Sequence, residues 1–225
     1  MRRSADASDV GGFEAFARAL QGTFPARDDA PLALALLRLL SEGRPVTATA
    51  LPRAANRGEG EVARRLGSWP NVERDETGHI VAFSGLTLRP TAHEFRVGTR
   101  QLHTWCAWDT LFLPALLRAT ADIRSTCPIT GSVVELVVAP DGVRSARPAD
   151  LHVSFPPLKV TDTADITGSF CCHVHFLAGT DAARTWHETR ADDVVLDVDA
   201  AFELGRRAVS ALLEPGSPTV MEVSR

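Results

Sequence analysis

Tyrosine is absent from the 225-residue chain, and Lys159 is its only lysine. The missing phenol removes one kind of general acid, and Schiff-base chemistry would depend on that single amine. Neither a G-x-G-x-x-G nor a G-x-x-x-x-G-K-[ST] motif occurs, so nucleotide-binding loops of these two kinds have no support. Any catalytic chemistry therefore has to use other side chains.

Long apolar runs are also missing. The leucine-rich stretch PLALALLRLL at 31–40 is far shorter than the roughly 20 residues that span a bilayer. The start of the chain, MRRSADASDVGG, lacks the apolar region of a secretory signal. We therefore expect a cytoplasmic protein with no membrane partner. Thiols stay reduced in that compartment, so the four cysteines are expected to be ligands or nucleophiles, not disulfides.

Charge of one sign does not dominate. The chain has 28 acidic and 24 basic side chains, which gives a net charge of −4. This balance provides no global attraction to nucleic acid or to anionic lipid. The hydrophobic content of 44% is typical of a globular protein with a buried core.

The hydrophobic pattern predicts an α+β protein. We predict an N-terminal winged-helix-like helical module, followed by a mainly antiparallel sheet domain with flanking helices. The predicted divisions are a tail and first helix in 1–25, the winged-helix-like module in 26–88, and a catalytic α+β domain in 89–225.

The predicted elements follow from periodicity and turn residues. After a frayed tail over 1–12, helices are predicted at 13–20, 31–42, 45–56 and 60–69, before a hairpin at 72–88. Further along we predict a strand at 93–98, a buried helix at 103–119 interrupted near Pro114, a hairpin at 132–149, strands at 151–156 and 168–179, and helices at 181–190 and 199–213.

The segment TWCAWDTLFLPALL (104–117) places a cysteine and an aspartate three positions apart. On a helix, Cys106 and Asp109 would share one face. One interpretation is a small buried residue beside a carboxylate of the first helical turn. The other is an active site, because the apolar neighbours Trp105, Trp108 and Phe112 would raise the carboxyl pKa.

Two adjacent cysteines occur in SFCCHVHFLAG (169–179). On a strand they would point to opposite faces, which makes them a poor disulfide pair. The core face would carry Cys172, so we predict that it packs as a small hydrophobe. The polar face would carry Cys171, His173 and His175, so Cys171 is the better candidate for chemistry. The two histidines could line a pocket or be satisfied polar residues.

Cys127 precedes the predicted hairpin at 132–149 and has no carboxylate or histidine within four positions. We predict a structural, buried role for it. A zinc site made by Cys106, Cys127, Cys171 and His173 is an alternative. Structural zinc sites usually take ligands from closely spaced pairs, and no such pair is present.

Together, WCAWDTLFLPALL, CPITG and FCCHVHFLAG resemble the alkylmercury (organomercurial) lyases of bacterial mercury resistance, over roughly residues 30–210. The resemblance implies that Cys106 and Cys171 bind mercury and that Asp109 carries a proton and lies at the metal. It implies a structural role for Cys127 and a non-essential one for Cys172.

The implied activity is detoxification by protonolysis, in which the carbon–mercury bond is cleaved to a hydrocarbon and Hg(II). Mercury is soft and prefers thiolate ligands. We expect Trp105, Trp108, Phe112 and His173 to contact the substrate. No organic cofactor is expected, while low-molecular-weight thiols would remove Hg(II) and could pass it to a mercuric reductase.

The main rival is a winged-helix, metal-responsive DNA-binding regulator. Residues 44–66 contain five arginines and two glutamates, a local positive excess that suits a recognition helix. However, the segment 31–85 is close to neutral and the whole chain is acidic. We therefore expect no nucleic-acid partner.

Overall fold

The computed structural model describes residues 7–157 and 165–213, and for residues 7–12 the backbone alone. The helices are α1 (Ala7–Gln21), α2 (Ala30–Leu40), α3 (Ala50–Ala55), α4 (Glu59–Ser68), α5 (Asp109–Leu117), α6 (Ile166–Ser169), α7 (Thr180–Thr189), α8 (Val198–Ala208) and α9 (Ser210–Leu213). The strands are β1 (Val72–Arg74), β2 (Ile80–Phe83), β3 (Leu86–Thr87), β4 (His93–Val97), β5 (Arg100–Thr104), β6 (Ala121–Thr126), β7 (Val133–Ala139), β8 (Gly142–Arg147), β9 (His152–Phe155), β10 (Phe176–Leu177) and β11 (Val194–Asp197).

The N-terminal half contains the predicted winged helix. Helix α2 has Pro31 in its first turn. A proline is tolerated there, because the N–H groups of the first turn have no hydrogen-bond acceptor within the helix. Four of its leucines, Leu32, Leu36, Leu37 and Leu40, are fully buried. Helices α3 and α4 follow, and β1, β2 and β3 then form the wing, which is the name used below for these three strands and their turns. The predicted helix–helix–helix–hairpin order is confirmed.

Within the described part of the chain, eight strands form one antiparallel sheet in the order β1-β2-β3-β5-β4-β6-β7-β8. Strand β3 pairs with β5, with Leu86 opposite Thr104, so backbone hydrogen bonds join the wing to the C-terminal sheet. Buried and exposed residues alternate along β6, as expected of a sheet with one face covered. Helices α5 and α8 cover that face.

A second, smaller sheet has the order β10-β9-β11 and is also antiparallel. Helix α8 follows β11 directly, and the Asp197 side chain caps it by accepting a hydrogen bond from the Ala200 N–H at 2.7 Å. Such a cap satisfies one of the free amides of the first turn. None of the helices among the described residues is long and apolar enough to cross a membrane.

Two element predictions around the site are wrong. The predicted helix at 103–119 is the end of strand β5, a turn, and α5, which starts only at Asp109. The helix also continues through Pro114 to Leu117, because one missing N–H does not outweigh the burial of its apolar side chains. The predicted strand at 168–179 is strand only at Phe176–Leu177: α6 ends at Ser169, and a 3-10 turn, Cys171–His173, follows it.

The reason for the second error lies just upstream. The Asp165 side chain accepts a hydrogen bond from the Gly168 N–H at 2.9 Å, which caps and starts a helical turn. Two smaller differences concern the ends of the chain. Helix α1 already begins at Ala7, within the predicted frayed tail, whereas residues 1–6 lie outside the described part. The predicted helix at 199–213 is two helices, α8 and α9.

Candidate active site

Three buried side chains from two separate segments meet beside the wing. Cys106 lies in the turn between β5 and α5, Asp109 is the first residue of α5, and Cys171 lies in the 3-10 turn after α6. The two sulfurs and a carboxylate oxygen all lie within 4.8 Å of one another, an arrangement that could hold a metal ion. We call these residues the Cys–Asp–Cys group. The structure therefore brings together the three residues singled out from the sequence.

Local hydrogen bonds fix the turn that carries Cys106 and Asp109. The Cys106 N–H donates to the Asp109 Oδ2 at 2.9 Å, and the Thr104 hydroxyl donates to the Cys106 carbonyl at 2.8 Å. The Thr110 hydroxyl donates to the Ala107 carbonyl at 2.6 Å. The prediction that Cys106 lies on the helix is therefore wrong. The turn nevertheless holds Cys106 against the Asp109 carboxyl.

Burial controls the protonation of the Cys–Asp–Cys group. The Asp109 residue is 4% exposed, and desolvation raises its carboxyl pKa from 3.8 to about 7, although hydrogen bonds from the Cys106 thiol and N–H act in the opposite direction. Burial penalises the charged form of any acid. A carboxyl with a pKa near 7 can both accept and donate a proton at neutral pH.

The two thiols are hydrogen-bonded to each other, and the effect differs between them. Burial raises the pKa of Cys106 well above 9.0, with further contributions from the Cys171 hydrogen bond and the Asp109 charge. For Cys171, the hydrogen bond with Cys106 lowers the pKa, but burial and the nearby Asp109 and Cys172 raise it above its ordinary value. Both thiols are therefore protonated at neutral pH before a ligand binds.

Aromatic rings surround the Cys–Asp–Cys group. Trp108 packs edge-on against Phe112, Phe155 and Phe170, with ring centroids 5.0, 5.9 and 6.2 Å away, and its indole N–H donates to the Ala201 carbonyl at 3.0 Å. Such edge-to-face pairs fix ring positions. The indole of Trp108 is therefore a rigid wall of the site.

A cavity of about 30 Å³ opens onto Asp109 and Cys171. Trp105 and Trp108, which were predicted to contact the substrate, line this cavity. Phe24 and Phe170 line it as well, although neither was predicted to do so. Of the other predicted contacts, Phe112 lies behind Trp108 and is almost fully buried. His173 is exposed and is not among the residues that line the cavity.

The wing also reaches the cavity, through Ser84 and Gly85 in the turn between β2 and β3. These two residues were not predicted to belong to the site. The only local signal was the Ser-Gly dipeptide, which marks a turn but does not indicate what the turn touches. Phe24 was missed for a similar reason, because it lies in a connection between helices and its contacts are distant in sequence.

The other two cysteines lie outside the Cys–Asp–Cys group. Cys127 is fully buried. Burial raises the pKa of its thiol, but hydrogen bonds from Thr130, Ala178 and Ile129 lower it further than burial raises it. Among the described residues, the four predicted zinc ligands do not come together, since the metal-capable group contains neither Cys127 nor His173.

Cys172 contradicts the prediction of a core position. It is exposed, and its thiol donates to the Gly168 carbonyl at 2.8 Å. The prediction was wrong because the alternation of a strand does not apply to the 3-10 turn that contains it. Cys171, in the same turn, is buried together with the preceding residue, Phe170, which directly follows α6.

Comparison with known proteins agrees with this geometry. The family profile for alkylmercury lyase matches residues 86–210, and one for the helix-turn-helix domain of alkylmercury lyase matches residues 14–84. An alkylmercury lyase of Streptomyces lividans is 43% identical over 183 residues, which cover 81% of this chain and 84% of the relative. The chain belongs to the alkylmercury lyase family. It is therefore an enzyme, as the resemblance had implied.

Further relatives agree with this assignment to the alkylmercury lyases. The enzyme of Pseudomonas putida is 44% identical over 185 residues, which cover 82% of this chain and 86% of the relative. The fold is shared with a solved structure described as the mercury-bound form of MerB2, with a TM-score of 0.69 at 24% identity, over 89% of this chain and 98% of the other.

Proposed function

We propose that this alkylmercury lyase cleaves the carbon–mercury bond by protonolysis, with Cys106 and Cys171 as the mercury ligands and Asp109 as the proton carrier. The observation that supports this most directly is the approach of two thiols and one carboxyl to within 4.8 Å in a buried site. Thiolates are the ligands that a soft metal ion prefers. The carboxyl supplies the proton that the departing carbon needs.

The first step is thiol exchange at mercury. Cys171 lines the cavity and is 5% exposed, whereas Cys106 is fully buried, so Cys171 meets the substrate first. Its sulfur replaces the ligand X of R–Hg–X, and X leaves with the thiol proton as HX. The two-coordinate R–Hg–S(Cys171) that results is still stable to protonation.

The second thiol activates the carbon. Cys106 transfers its proton to the ionised Asp109 carboxylate, and the thiolate that forms adds to mercury. The higher coordination number pushes electron density toward carbon. Protonated Asp109 then donates to that carbon, R–H leaves, and Hg(II) stays bound to both sulfurs while the carboxylate is restored. Two thiol protons are consumed, one in HX and one in R–H.

The apolar surroundings serve both steps. They hold the Asp109 pKa at about 7, and they offer Trp105 and Trp108 as a surface for the organic group. The cavity of about 30 Å³ is much smaller than the roughly 150 Å³ that accommodates benzene in an apolar protein interior. An aryl substrate therefore enters only when part of the lining moves. Phe24, on the connection after α1, is one of two half-buried rings in that lining, and Trp105 is the other.

Release of Hg(II) requires other thiols. We propose that low-molecular-weight thiols exchange with Cys106 and Cys171, and that the metal can then pass to a mercuric reductase. No organic cofactor takes part in the steps above. We further propose that the helix-turn-helix module shapes the site instead of binding DNA, because its wing lines the cavity and Arg65 of α4 is paired with Asp29 at 3.1 Å.

The test is a headspace assay for benzene with phenylmercury and excess thiol. The wild-type protein should release benzene, and Cys106→Ser and Cys171→Ser should release none, because one sulfur cannot activate the bond. Cys172→Ser is the matched control: it changes the exposed neighbour of Cys171 and should keep wild-type turnover. Full turnover by Cys171→Ser, or equal loss in Cys172→Ser, would contradict the assignment.

The rival function has its own test. A salt-dependent shift of duplex DNA by the purified protein would indicate a regulator. The absence of a shift at low salt would leave the lyase activity as the function of the whole chain.

A further inference from the structure

The wing turn, defined as Ser84 and Gly85, is an unusual hairpin turn. Both residues have positive φ angles, 46° and 91°, as in the primed turns that suit two-residue hairpins. Hairpin turns normally lie at the surface, but both residues here are buried. The Gly85 carbonyl accepts a hydrogen bond from the Trp105 N–H at 2.9 Å, so the turn is tied to the segment that carries the Cys–Asp–Cys group.

Gly85 touches the Asp109 side chain directly. A Cβ atom built on Gly85 would lie 2.5 Å from the Asp109 Cγ and 2.6 Å from its Oδ1, distances that atoms in proteins do not adopt. The carboxyl is not free to move aside, because its Oδ2 accepts from the Cys106 N–H at 2.9 Å and its backbone begins α5. A side chain on residue 85 would therefore displace either the carboxyl or the turn.

The sheet prevents the turn from yielding easily. Leu86, the next residue, is fully buried and pairs with Thr104 of β5, two residues before Cys106. The turn and the segment that carries Cys106 and Asp109 are thus held by the same pair of strands.

We propose that Gly85 is a positioning residue for the lyase reaction: because it has no side chain, the wing turn packs against the Asp109 carboxyl and holds it at the two thiols. This inference rests on the proposed role of Asp109 as the proton carrier. It also gives the helix-turn-helix module a specific part in the chemistry, since the wing of this module supplies the contact that positions the Asp109 carboxyl.

The experiment compares Gly85→Ala with Gly78→Ala. Gly78 lies in the other wing turn, has a φ of 83°, and has no atom within 4 Å of an added Cβ. Both substitutions impose the same kind of backbone strain, but only that at Gly85 meets Asp109. The readouts are single-turnover benzene release, its pH profile, the stoichiometry of bound Hg(II), and the melting temperature.

Gly85→Ala should bind one Hg(II) per chain, because the sulfurs remain, but release benzene about 100-fold more slowly, the loss that a misplacement of about 1 Å can cause. The apparent pKa of its rate profile should also move. Gly78→Ala should lose thermal stability only. Equal rates and pH profiles in the two variants would overturn the proposal.

Two further variants complete the test. If Gly85→Ala does not fold, it is repeated in an Asp109→Gly background, which removes the Asp109 Cγ, Oδ1 and Cβ atoms that the added Cβ would meet at 2.5, 2.6 and 2.8 Å. Recovery of folded protein supports the steric argument, and misfolding in both backgrounds overturns it. Asp109→Ala alone separates the two proposals: if it releases benzene at the wild-type rate, the proton-carrier role itself is wrong, whereas an inactive Asp109→Ala with a fully active Gly85→Ala refutes only the role of Gly85.

Discussion

Asp109→Asn should change how the stability of the protein depends on pH. The substitution keeps the size of the side chain and an oxygen that accepts from the Cys106 N–H, but it removes the ionisable group. Because the wild-type carboxyl is almost fully buried, its ionisation opposes folding. In the asparagine variant, the free energy of unfolding should therefore no longer fall through ionisation of residue 109 at alkaline pH. The variant should also lack lyase activity.

The magnitude follows from the two pKa values. Burial raises the pKa of Asp109 from 3.8 to about 7, a difference that corresponds to about 4 kcal/mol in total. Between these values the folded state holds a proton that the unfolded state has lost, so the free energy of unfolding falls as pH rises and levels off above about pH 7. Between pH 5 and pH 8 the group should account for about 2.5 kcal/mol of this fall.

Urea unfolding at pH 5 and pH 8, with a metal-free reductant, measures the effect. His93 changes stability in the opposite sense, because burial lowers its pKa to about 4, but it is present in both proteins and cancels in the comparison. The wild-type protein should therefore lose about 2.5 kcal/mol more than Asp109→Asn between the two pH values.

The control is Asp199→Asn, in the exposed first turn of α8, which should follow the wild-type pH dependence. If wild type and Asp109→Asn lose the same free energy of unfolding over this range, the carboxyl ionises as it does in water. The argument that burial prepares Asp109 to carry a proton at neutral pH would then be refuted.

Three other outcomes are expected. The kcat/KM for phenylmercury should rise with pH through about 7, because the free enzyme needs ionised Asp109 to accept the Cys106 proton. A fall over that range would contradict the proposal that Asp109 accepts this proton before it donates one to carbon. Cys127→Ser should lower the free energy of unfolding by about 1 kcal/mol, measured in urea, with kcat within twofold of wild type; an inactive but stable variant would contradict a structural role. Phe24→Ala should raise the ratio of phenylmercury to methylmercury kcat/KM by about 10-fold, relative to Phe16→Ala, which removes a ring outside the cavity; an unchanged ratio would show that Phe24 does not limit access.

Part of the site was determined by local sequence. Cys106 and Asp109 are three positions apart, so a turn and a helix both place them close together, and the error in the predicted helix did not separate them. The apolar residues around them, such as Trp108 and Phe112, were sufficient to predict burial and a raised carboxyl pKa. The winged-helix order was also readable, because each helix and hairpin carries its own periodicity and turn residues.

The local conformation around Cys171 was not readable in the same way. Its alternating apolar residues fit a strand, but the capping hydrogen bond of Asp165 starts a helical turn instead. Cys171 was predicted on a polar face and as the better candidate for chemistry; it lines the cavity, but as the buried member of the pair, so the strand argument that selected it was wrong. Cys172 was misplaced for the same reason.

The sequence by itself determined the chemical groups of this lyase and the closeness of Cys106 to Asp109, because both depend on neighbouring residues. Only the tertiary structure decided that Cys171 joins them, that the wing turn packs Gly85 against the carboxyl, and that Phe24 lines the cavity. Those contacts join segments distant in the chain, and their distances are set by the packing of the sheet and helices as a whole, which no local pattern contains.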